Sequence, residues 1–266
     1  MNTQANRPLA VVTGASSGIG YELARQFAEH GFDLLVTATG PALDAAASKL
    51  NKSGAQVDAV QADLASYEGV ESLYDAIKAT GRPVDAIAIN AGVGVGGDFA
   101  RETDLRAELN LINLNVSSSV HLAKRVLNDM VARGSGRVLF TSSIAGVMPG
   151  PFEAVYAASK AFLLSFSEAL RNELKDTGVS VTALMPGPTD TNFFHRAGMD
   201  DTKAGAGKKD DPAQVARQGF EALMSGGDHV IAGSAKNKLQ GAAAKLLPET
   251  AKAAQHRKLT EPGSAE

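Results

Sequence analysis

The chain has 266 residues, of which 44% are hydrophobic and 21% are charged, and its formal net charge at pH 7 is −3. This length suits one large α/β domain, and the charge shows no basic excess of the kind that nucleic acids or anionic membranes attract. The absence of cysteine excludes disulfides and thiolate chemistry and is compatible with the reducing cytoplasm in which we expect the protein, and no apolar run approaches the roughly 20 residues of a membrane span.

Short β-branched apolar runs alternate with helical patterns over most of the chain. In the segment after the first run, Ile19, Leu23, Phe27 and Ala28 fall on one helical stripe that Gly31 closes. This alternation predicts a doubly wound parallel sheet of about seven strands in a single Rossmann-type three-layer αβα domain. The strands are predicted over residues 9–13, 33–38, 56–62, 84–90, 137–142, 179–185 and 229–233.

The predicted domain spans residues 8–247, between a disordered N terminus over 1–7 and a polar C-terminal tail over 248–266. One segment, NFFHRAGMDDTKAGAGKKDD at 192–211, interrupts the alternation because it is long and rich in glycine and charge. Loops of this length in a compact domain are usually functional lids or disordered. We interpret this one as a substrate lid.

The sequence TGASSGIG, residues 13–20, follows the first strand directly. In a doubly wound sheet, ligands bind at the carboxyl ends of the strands, beside the start of the first helix. Gly14, Gly18 and Gly20 permit a tight turn, and a helix that begins near Gly18 directs free N–H groups and its positive dipole end toward a phosphate. A glycine turn can also serve only packing, and three residues rather than one separate the first two glycines. Its position between strand and helix favours a nucleotide site.

Four further motifs follow this turn along the chain. They are NAG at 90–92, a serine pair at 142–143, YAASK at 156–160 and PGPTDT at 186–191. In order and spacing the five motifs resemble the short-chain dehydrogenase/reductase family from about residue 8 to 191. One departure is Ile89, where many members carry a second asparagine. The resemblance implies an oxidoreductase that uses NAD(P).

Two tyrosine–lysine pairs have the four-residue spacing that places both side chains on one helix face. Tyr74 and Lys78 lie in a predicted crossover helix with a glutamine thirteen residues upstream, so we interpret them as surface and packing residues. Tyr156 and Lys160 begin the helix after the fifth strand, on the side of the sheet where ligands bind. Ser143 lies thirteen residues before Tyr156, which matches the family's catalytic serine.

The reduction of a carbonyl by hydride requires a proton at the carbonyl oxygen, and the oxidation of an alcohol requires its removal. A free tyrosine has a pKa of ~10, and a pKa about 3 units lower needs roughly 4 kcal/mol of preferential phenolate stabilisation. One ammonium group at ~4 Å, in an effective dielectric of ~20, supplies about that much. We therefore predict that Tyr156 is the general acid/base and that Lys160 lowers its pKa, assisted by an oxidised nicotinamide.

The resemblance implies roles for the neighbouring polar groups. Ser143 would orient the reacting oxygen, with Ser142 as the competing choice. Asn115 would support Lys160 through a water relay, although an asparagine inside a helix is more often structural. Lys160 would also contact the nicotinamide ribose.

The end of the second strand bears on the choice of coenzyme. Members that prefer NAD usually carry an acidic residue where this chain has Ala38, and members that prefer NADP often carry an arginine where it has Thr39. Without a carboxylate, a 2′-phosphate meets no fixed repulsion, and Thr39, Gly40 and Ser16 can donate hydrogen bonds to it. We expect NADP(H), with NAD(H) as the alternative.

By resemblance, the coenzyme would contact residues from every motif. Asp63, after the third strand, is expected to hold the adenine, and the alternative is that it serves only as an ordinary helix N-cap. The coenzyme-binding residues expected are Gly14, Ser16, Ser17, Gly18, Ile19, Gly20, Thr39, Asp63, Leu64, Asn90, Ala91, Gly92, Tyr156, Lys160, Pro186, Gly187, Thr189 and Thr191.

The segments after the fifth and sixth strands face the nicotinamide in this fold and carry large apolar side chains. They suggest an apolar carbonyl compound or secondary alcohol as substrate, although each side chain could equally belong to the core. No spacing indicates a metal site. The expected substrate-binding residues are Ser143, Met148, Phe152, Phe193, Phe194 and Met199.

Relatives pair the helices near 102–132 and 154–177 across a two-fold axis, so we expect a homodimer or homotetramer. The rival hypothesis is a nucleotide-binding regulatory or scaffold protein of the same fold without turnover. Inactive relatives typically lose one of the four catalytic positions, whereas Tyr156, Lys160, Ser143 and Asn115 are all present here. The sequence therefore favours the enzyme.

Overall fold

The structure, a computed structural model, describes residues 7–235, 237 and 247–265. Over these residues, all strands pair in parallel in one seven-stranded sheet of order β3-β2-β1-β4-β5-β6-β7, which confirms the predicted doubly wound sheet. Each predicted strand end lies within one residue of the observed one. The strands are β1 (Leu9–Thr13), β2 (Asp33–Ala38), β3 (Val57–Gln61), β4 (Val84–Ile89), β5 (Gly136–Thr141), β6 (Val179–Pro186) and β7 (His229–Ala232).

Helices cover both faces of the sheet. They are α1 (Gly18–Glu29), α2 (Ala42–Asn51), α3 (Tyr67–Ala79), α4 (Leu105–Ile112), α5 (Ser118–Arg133), α6 (Ala154–Glu173), α7 (Phe193–Arg196), α8 (Lys203–Ala206), α9 (Pro212–Met224) and α10 (Glu249–Thr260). A π-helical segment, Asn113–Ser117, joins α4 to α5, and a 3-10 helix, Ile144–Val147, follows β5. Among the described residues, no helix is long and apolar enough to cross a membrane.

The two faces of the sheet have separate apolar cores. On one face, α1 and α9 pack through Phe27, whose ring meets those of Phe32 and Phe220 edge-on at 5.2 Å each. On the other face, α3, α5 and α6 bury Leu73, Leu122 and similar side chains. These cores fix the carboxyl ends of the strands, where the order reverses between β1 and β4 and a crevice opens.

The segments outside the strand–helix repeat are more ordered than the sequence suggested. The predicted lid at 192–211 contains α7 and α8, and Phe194, Ala197 and Met199 form a small apolar cluster within it. Helix α10 lies in the predicted polar tail, next to residues 238–246, which fall outside the described part of the chain. Residues 1–6 of the predicted loose N terminus also fall outside it, and Arg7 donates a hydrogen bond to the Gly54 carbonyl at 2.6 Å.

Candidate active site

The glycine turn after β1 has a backbone that only glycine accommodates easily. Gly14 and Gly18 have φ of 69° and 58°, and a β-carbon at Gly20 would collide with the carbonyl group of Gly14. Helix α1 begins at Gly18, and Ser17 does not cap it with its side chain. The first N–H groups of α1 therefore remain at the crevice, in an arrangement suited to an anion.

The strands that border the turn are fixed by side-chain hydrogen bonds. The Thr13 hydroxyl accepts the backbone N–H groups of Asn90 and Ala91, each at 2.9 Å. The Asn90 amide donates to the Thr13 carbonyl at 3.1 Å and accepts from the Thr141 hydroxyl at 3.1 Å. These bonds tie β1, β4 and β5 together at their carboxyl ends.

One continuous pocket runs from the glycine turn to Tyr156 and Lys160. It is lined by every expected coenzyme-binding residue except Asp63. Asp63 is exposed, and its carboxylate accepts the N–H of Ala65 at 3.0 Å. The alternative interpretation of Asp63 as a helix N-cap is wrong, since Ser66 caps α3 by accepting the N–H of Gly69 at 3.0 Å. Contact between Asp63 and the coenzyme stays a prediction.

Tyr156 and Lys160 occupy the first turns of α6 and both line the pocket. Nζ of Lys160 donates to the carbonyl oxygen of Thr141 at 2.9 Å and lies 5.6 Å from the centre of the Tyr156 ring. Lys160 is only 4% exposed, which places its amine in a site of low polarity.

Burial dominates the protonation of both groups. It raises the pKa of Tyr156, the negative charge of Glu153 raises it further, and the Ser143 hydroxyl opposes both. Burial lowers the pKa of Lys160 to about 8. Loss of hydration is the main effect on the phenol, and the same loss weakens the charge on the amine. That Lys160 lowers the pKa of Tyr156, assisted by an oxidised nicotinamide, stays a prediction.

The serine pair after β5 divides into two roles. The Ser142 hydroxyl donates to the backbone carbonyl of Lys160 at 2.7 Å, which anchors α6. The Ser143 hydroxyl donates to the Pro186 carbonyl at 3.3 Å and accepts the N–H of Ala145 at 3.1 Å. Because Ser143 also lies beside Tyr156, it is the serine whose hydroxyl can reach a reacting oxygen.

Asn115 lies in the π-helical segment and is fully buried. Its amide nitrogen donates to the Val93 carbonyl and the Ser159 hydroxyl, both at 3.0 Å, and its oxygen accepts the N–H of Val93 at 2.9 Å. A β-carbon at Gly92 would lie 3.0 Å from Oδ1 of Asn115 and 3.3 Å from Nζ of Lys160. Asn115 and Lys160 therefore approach the same glycine, although Asn115 does not itself line the pocket.

The expected substrate-binding residues divide between the pocket and its surroundings. Met148, Phe193 and Phe194 line the pocket, as does Ser143, and the Phe193 ring lies 5.1 Å from that of Tyr156. Phe152 and Met199 do not line it, so the structure does not bring these two predicted residues to the pocket. Met199 packs into the cluster with Phe194, and the Phe152 ring lies against the Arg257 guanidinium at 5.0 Å.

A family model described as short chain dehydrogenase matches residues 8–202, which is most of the chain. The chain belongs to the short-chain dehydrogenase family. It is therefore an enzyme of the oxidoreductase class, as the motifs implied.

Individual relatives support this membership. The chain is 31% identical over 215 residues to the oxidoreductase UcpA of Salmonella typhimurium, covering 80% of this chain and 79% of that one. A short-chain dehydrogenase from Sphingobium yanoikuyae, solved in complex with NADPH, is 30% identical with a TM-score of 0.78, over 90% and 94% of the two chains. The bulky-bulky ketone specific alcohol dehydrogenase from Comamonas testosteroni is 27% identical with a TM-score of 0.76, over 91% and 94%.

The second tyrosine–lysine pair of this short-chain dehydrogenase lies away from the pocket. The Tyr74 hydroxyl and the Lys78 amine both approach the carboxylate of Asp129, at 3.0 and 3.4 Å, on the surface where α3 meets α5. The interpretation of this pair as surface and packing residues is confirmed.

Several pocket residues escaped the sequence analysis. Glu153 precedes α6, and His256, Leu259 and Thr260 come from α10. The three residues of α10 lie beyond residues 8–202, the range that the family model matches, and within the segment that the sequence analysis interpreted as a polar C-terminal tail. No local pattern marks them, because only the packing of α10 brings them to the pocket.

Proposed function

We propose that this short-chain dehydrogenase transfers a hydride between NADP(H) and the carbonyl or secondary alcohol of a mainly apolar small molecule. The observation that carries the proposal is one pocket that joins the free N-terminal N–H groups of α1 to Tyr156, Lys160 and Ser143. An anion-binding turn and an acid/base group in the same crevice are what a pyrophosphate coenzyme and a proton-coupled hydride transfer require.

The coenzyme, when bound, supplies or accepts the hydride. Residues 14–20 fit its pyrophosphate, because the glycines leave room for close approach and α1 offers unpaired N–H groups. The pocket beside the end of β2 is lined by Ala38 and Thr39, without a carboxylate to repel a 2′-phosphate. The similarity to the NADPH-bound Sphingobium enzyme also favours NADP(H). NAD(H) is the alternative.

In the reductive direction, Tyr156 gives its proton to the substrate oxygen as the adjacent carbon accepts the hydride. The phenolate that remains then takes a proton from water. Ser143 holds the oxygen beside Tyr156 before transfer. Lys160 stabilises the phenolate at the moment when it forms, and Asn115 supports Lys160 by fixing the backbone around Gly92 and α6.

The substrate end of the pocket supports an apolar substrate. Met148, Phe193, Phe194 and Leu259 line the same pocket as Tyr156 and add apolar surface to it, and such surface recognises a carbonyl compound by shape and desolvation.

We also propose a homodimer or homotetramer formed through α4 and α6. Large apolar side chains remain exposed there: Leu105 at 67%, Leu109 at 50% and Phe162 at 40%. Static light scattering at micromolar concentration is expected to give two or four times the chain mass. A monomer would contradict the assembly but not the activity. A cytoplasmic location stays a prediction from the cysteine-free sequence.

The test is a panel of apolar ketones and aldehydes, assayed by the loss of NADPH absorbance. We expect turnover, with kcat/KM for NADPH about tenfold or more above that for NADH. A tenfold preference for NADH would overturn the choice of coenzyme. Tight binding of NADPH without turnover of any carbonyl compound would favour the rival hypothesis of a non-catalytic nucleotide-binding protein.

A further inference from the structure

Helix α10 holds the three residues that precede α6. Phe152, the middle one, has φ of 62°, a strained backbone for a bulky residue, so it needs external support. The three contacts are a hydrogen bond from the Thr260 hydroxyl to the Pro151 carbonyl at 2.8 Å, the Arg257 guanidinium over the Phe152 ring at 5.0 Å, and a bond between His256 Nε2 and Glu153 Oε1 at 2.7 Å.

The third contact is a buried pair of titratable groups. The side chains of Glu153 and His256 are 7% and 8% exposed, and both residues line the pocket that contains Tyr156. A buried carboxylate is costly unless a partner satisfies it. Since a carboxylate only accepts hydrogen bonds, Nε2 of His256 carries the hydrogen between them. The pair therefore places a carboxylate group and its partner inside the pocket, in addition to the residues that the family motifs supply.

Glu153 acts directly on the environment of Tyr156. It is the N-cap residue of α6, its carbonyl accepts the N–H of Ala157 at 2.9 Å, and Tyr156 follows three residues later on the adjoining face. Its negative charge raises the pKa of Tyr156 in the same direction as burial does. The other titratable groups that line the pocket are Lys160 on α6, Arg196 on α7 and His256 on α10.

We propose that Glu153, held in place by His256, keeps Tyr156 protonated and so adapts this active site to carbonyl reduction. The inference rests on the proposed function. An enzyme does not change the equilibrium between ketone and alcohol, but the proton affinity of its acid sets the pH range over which each direction runs. Glu153 and His256 act through Tyr156 and are positioning residues.

The test is the pH dependence of kcat/KM for the oxidation of a secondary alcohol with NADP⁺. The rising limb of this profile reports the ionisation of Tyr156, which must be deprotonated to act as the base. Glu153→Gln keeps an acceptor for His256 and removes the negative charge, so the rising limb should move about one pH unit lower. Glu153→Asp keeps the charge and should keep the limb close to that of the wild type. An unmoved limb in Glu153→Gln, with only kcat reduced, would show that Glu153 merely supports the segment before α6.

His256→Leu tests the partner independently, and it supplies the test if Glu153→Gln does not fold. Leucine leaves the buried Glu153 carboxylate without its hydrogen-bond donor, which favours the uncharged acid, so the limb should move to lower pH. His256→Gln keeps a donor and should keep the limb close to that of the wild type. An unmoved limb in His256→Leu would overturn the role of His256. Glu168→Gln is the matched control, because Glu168 is exposed further along α6 and its loss should leave the limb unchanged.

A measurement without turnover separates this inference from the proposed function. If the wild type converts no alcohol or ketone, the proposed function fails, and nuclear magnetic resonance of protein labelled with ¹³C at the tyrosine Cζ atoms decides the inference. Tyr156→Phe assigns the signal. At about pH 11, Tyr156 should be more ionised in Glu153→Gln than in the wild type. Equal ionisation in the two proteins would overturn the inference.

Discussion

The glycine-turn end of the pocket (Gly14, residues 16–20, Ala38 and Thr39) is lined by backbone and mostly small side chains, whereas the tyrosine end (Met148, Tyr156, Phe193 and His256) is lined by large ones. At the first end, close approach to a ligand depends on φ angles and on missing β-carbons within eight consecutive residues, 13–20. At the second, the lining comes from distant parts of the chain: Glu153 and His256 are 103 residues apart.

This difference separates the coenzyme-binding part of the pocket from the substrate-binding part. A binding site formed by the backbone tolerates few residue types, so it has a fixed local sequence pattern. A binding site formed by side chains tolerates many combinations of residues, provided that their combined shape and polarity suit the substrate. The predictions that follow test whether the two ends act as separable units, for coenzyme and for substrate.

Tyr156→Phe should give the largest effect. It removes the proton donor without altering the glycine-turn end, so kcat should fall about a thousandfold while the Kd for NADPH stays nearly constant. Steady-state kinetics and fluorescence titration with NADPH measure the two quantities. Retention of most of the activity would show that another group is the acid.

Gly92→Ala tests the part of the pocket between the glycine-turn end and the tyrosine end. The added methyl group would press on Oδ1 of Asn115 at 3.0 Å and Nζ of Lys160 at 3.3 Å. We expect kcat to fall by about a hundredfold, because small displacements of positioning groups are costly. Gly227→Ala is the control: its β-carbon would be similarly tight, 3.3 Å from the Ala222 carbonyl, but away from the pocket. Equal kinetics in the two variants would count against the role of Lys160 and Asn115.

Gly18→Ala tests the glycine-turn end alone. Alanine at φ of 58° is strained, and its β-carbon would lie 2.9 Å from Thr191. The Kd for NADPH should rise about tenfold or more, with a smaller change in kcat at saturating coenzyme. Gly31→Ala provides the control, since Gly31 has φ of 87° and open space around it. That variant should lose stability but not coenzyme affinity.

Phe193→Ala tests the tyrosine end. The loss of a ring 5.1 Å from Tyr156 should raise KM for an apolar ketone about fivefold and leave the Kd for NADPH unchanged. Met199→Ala is the contrast, because Met199 is 1% exposed and packs outside the pocket. It should cost about 2 to 5 kcal/mol in the free energy of unfolding. A KM effect from Met199→Ala as large as that from Phe193→Ala would contradict the placement of both.

The smallest effect concerns stability and pH. Burial lowers the pKa of Lys160 from 10.5 to about 8, so between these values the unfolded chain binds more protons at this residue than the folded one. The contribution of Lys160 to the free energy of unfolding should therefore rise from about pH 8 toward pH 10, by about 1 to 2 kcal/mol. Urea denaturation of the wild type and Lys160→Met measures this as the pH dependence of the difference between them. A difference that falls with pH would contradict the burial of a neutral amine.

The same contrast explains how far the sequence could predict the structure. The seven strands follow from apolar runs, and the glycine turn follows from its position after β1. The choice of Tyr156 over Tyr74 followed from the serine thirteen residues upstream and from the helix that carries the pair.

Other features have no local signature. The sequence around Asn115, INLNVSSS, has no residue that distinguishes a π-helical segment from an ordinary helix. Phe152 and Met199 show that an apolar side chain near a substrate pocket can equally pack against its surroundings. His256 reaches the pocket only because α10 folds back on the chain before α6. These positions depend on long-range packing, and only the structure reveals them.

The most direct test of the account follows the hydride itself. The protein is incubated with an apolar ketone and NADPH deuterated at C4 on the transferred face, and the alcohol product is examined by mass spectrometry. We predict one deuterium at the carbinol carbon in the wild type and about a thousandfold slower formation of the labelled alcohol with Tyr156→Phe. Ketone consumption by the wild type without deuterium in the alcohol would contradict direct transfer within this pocket.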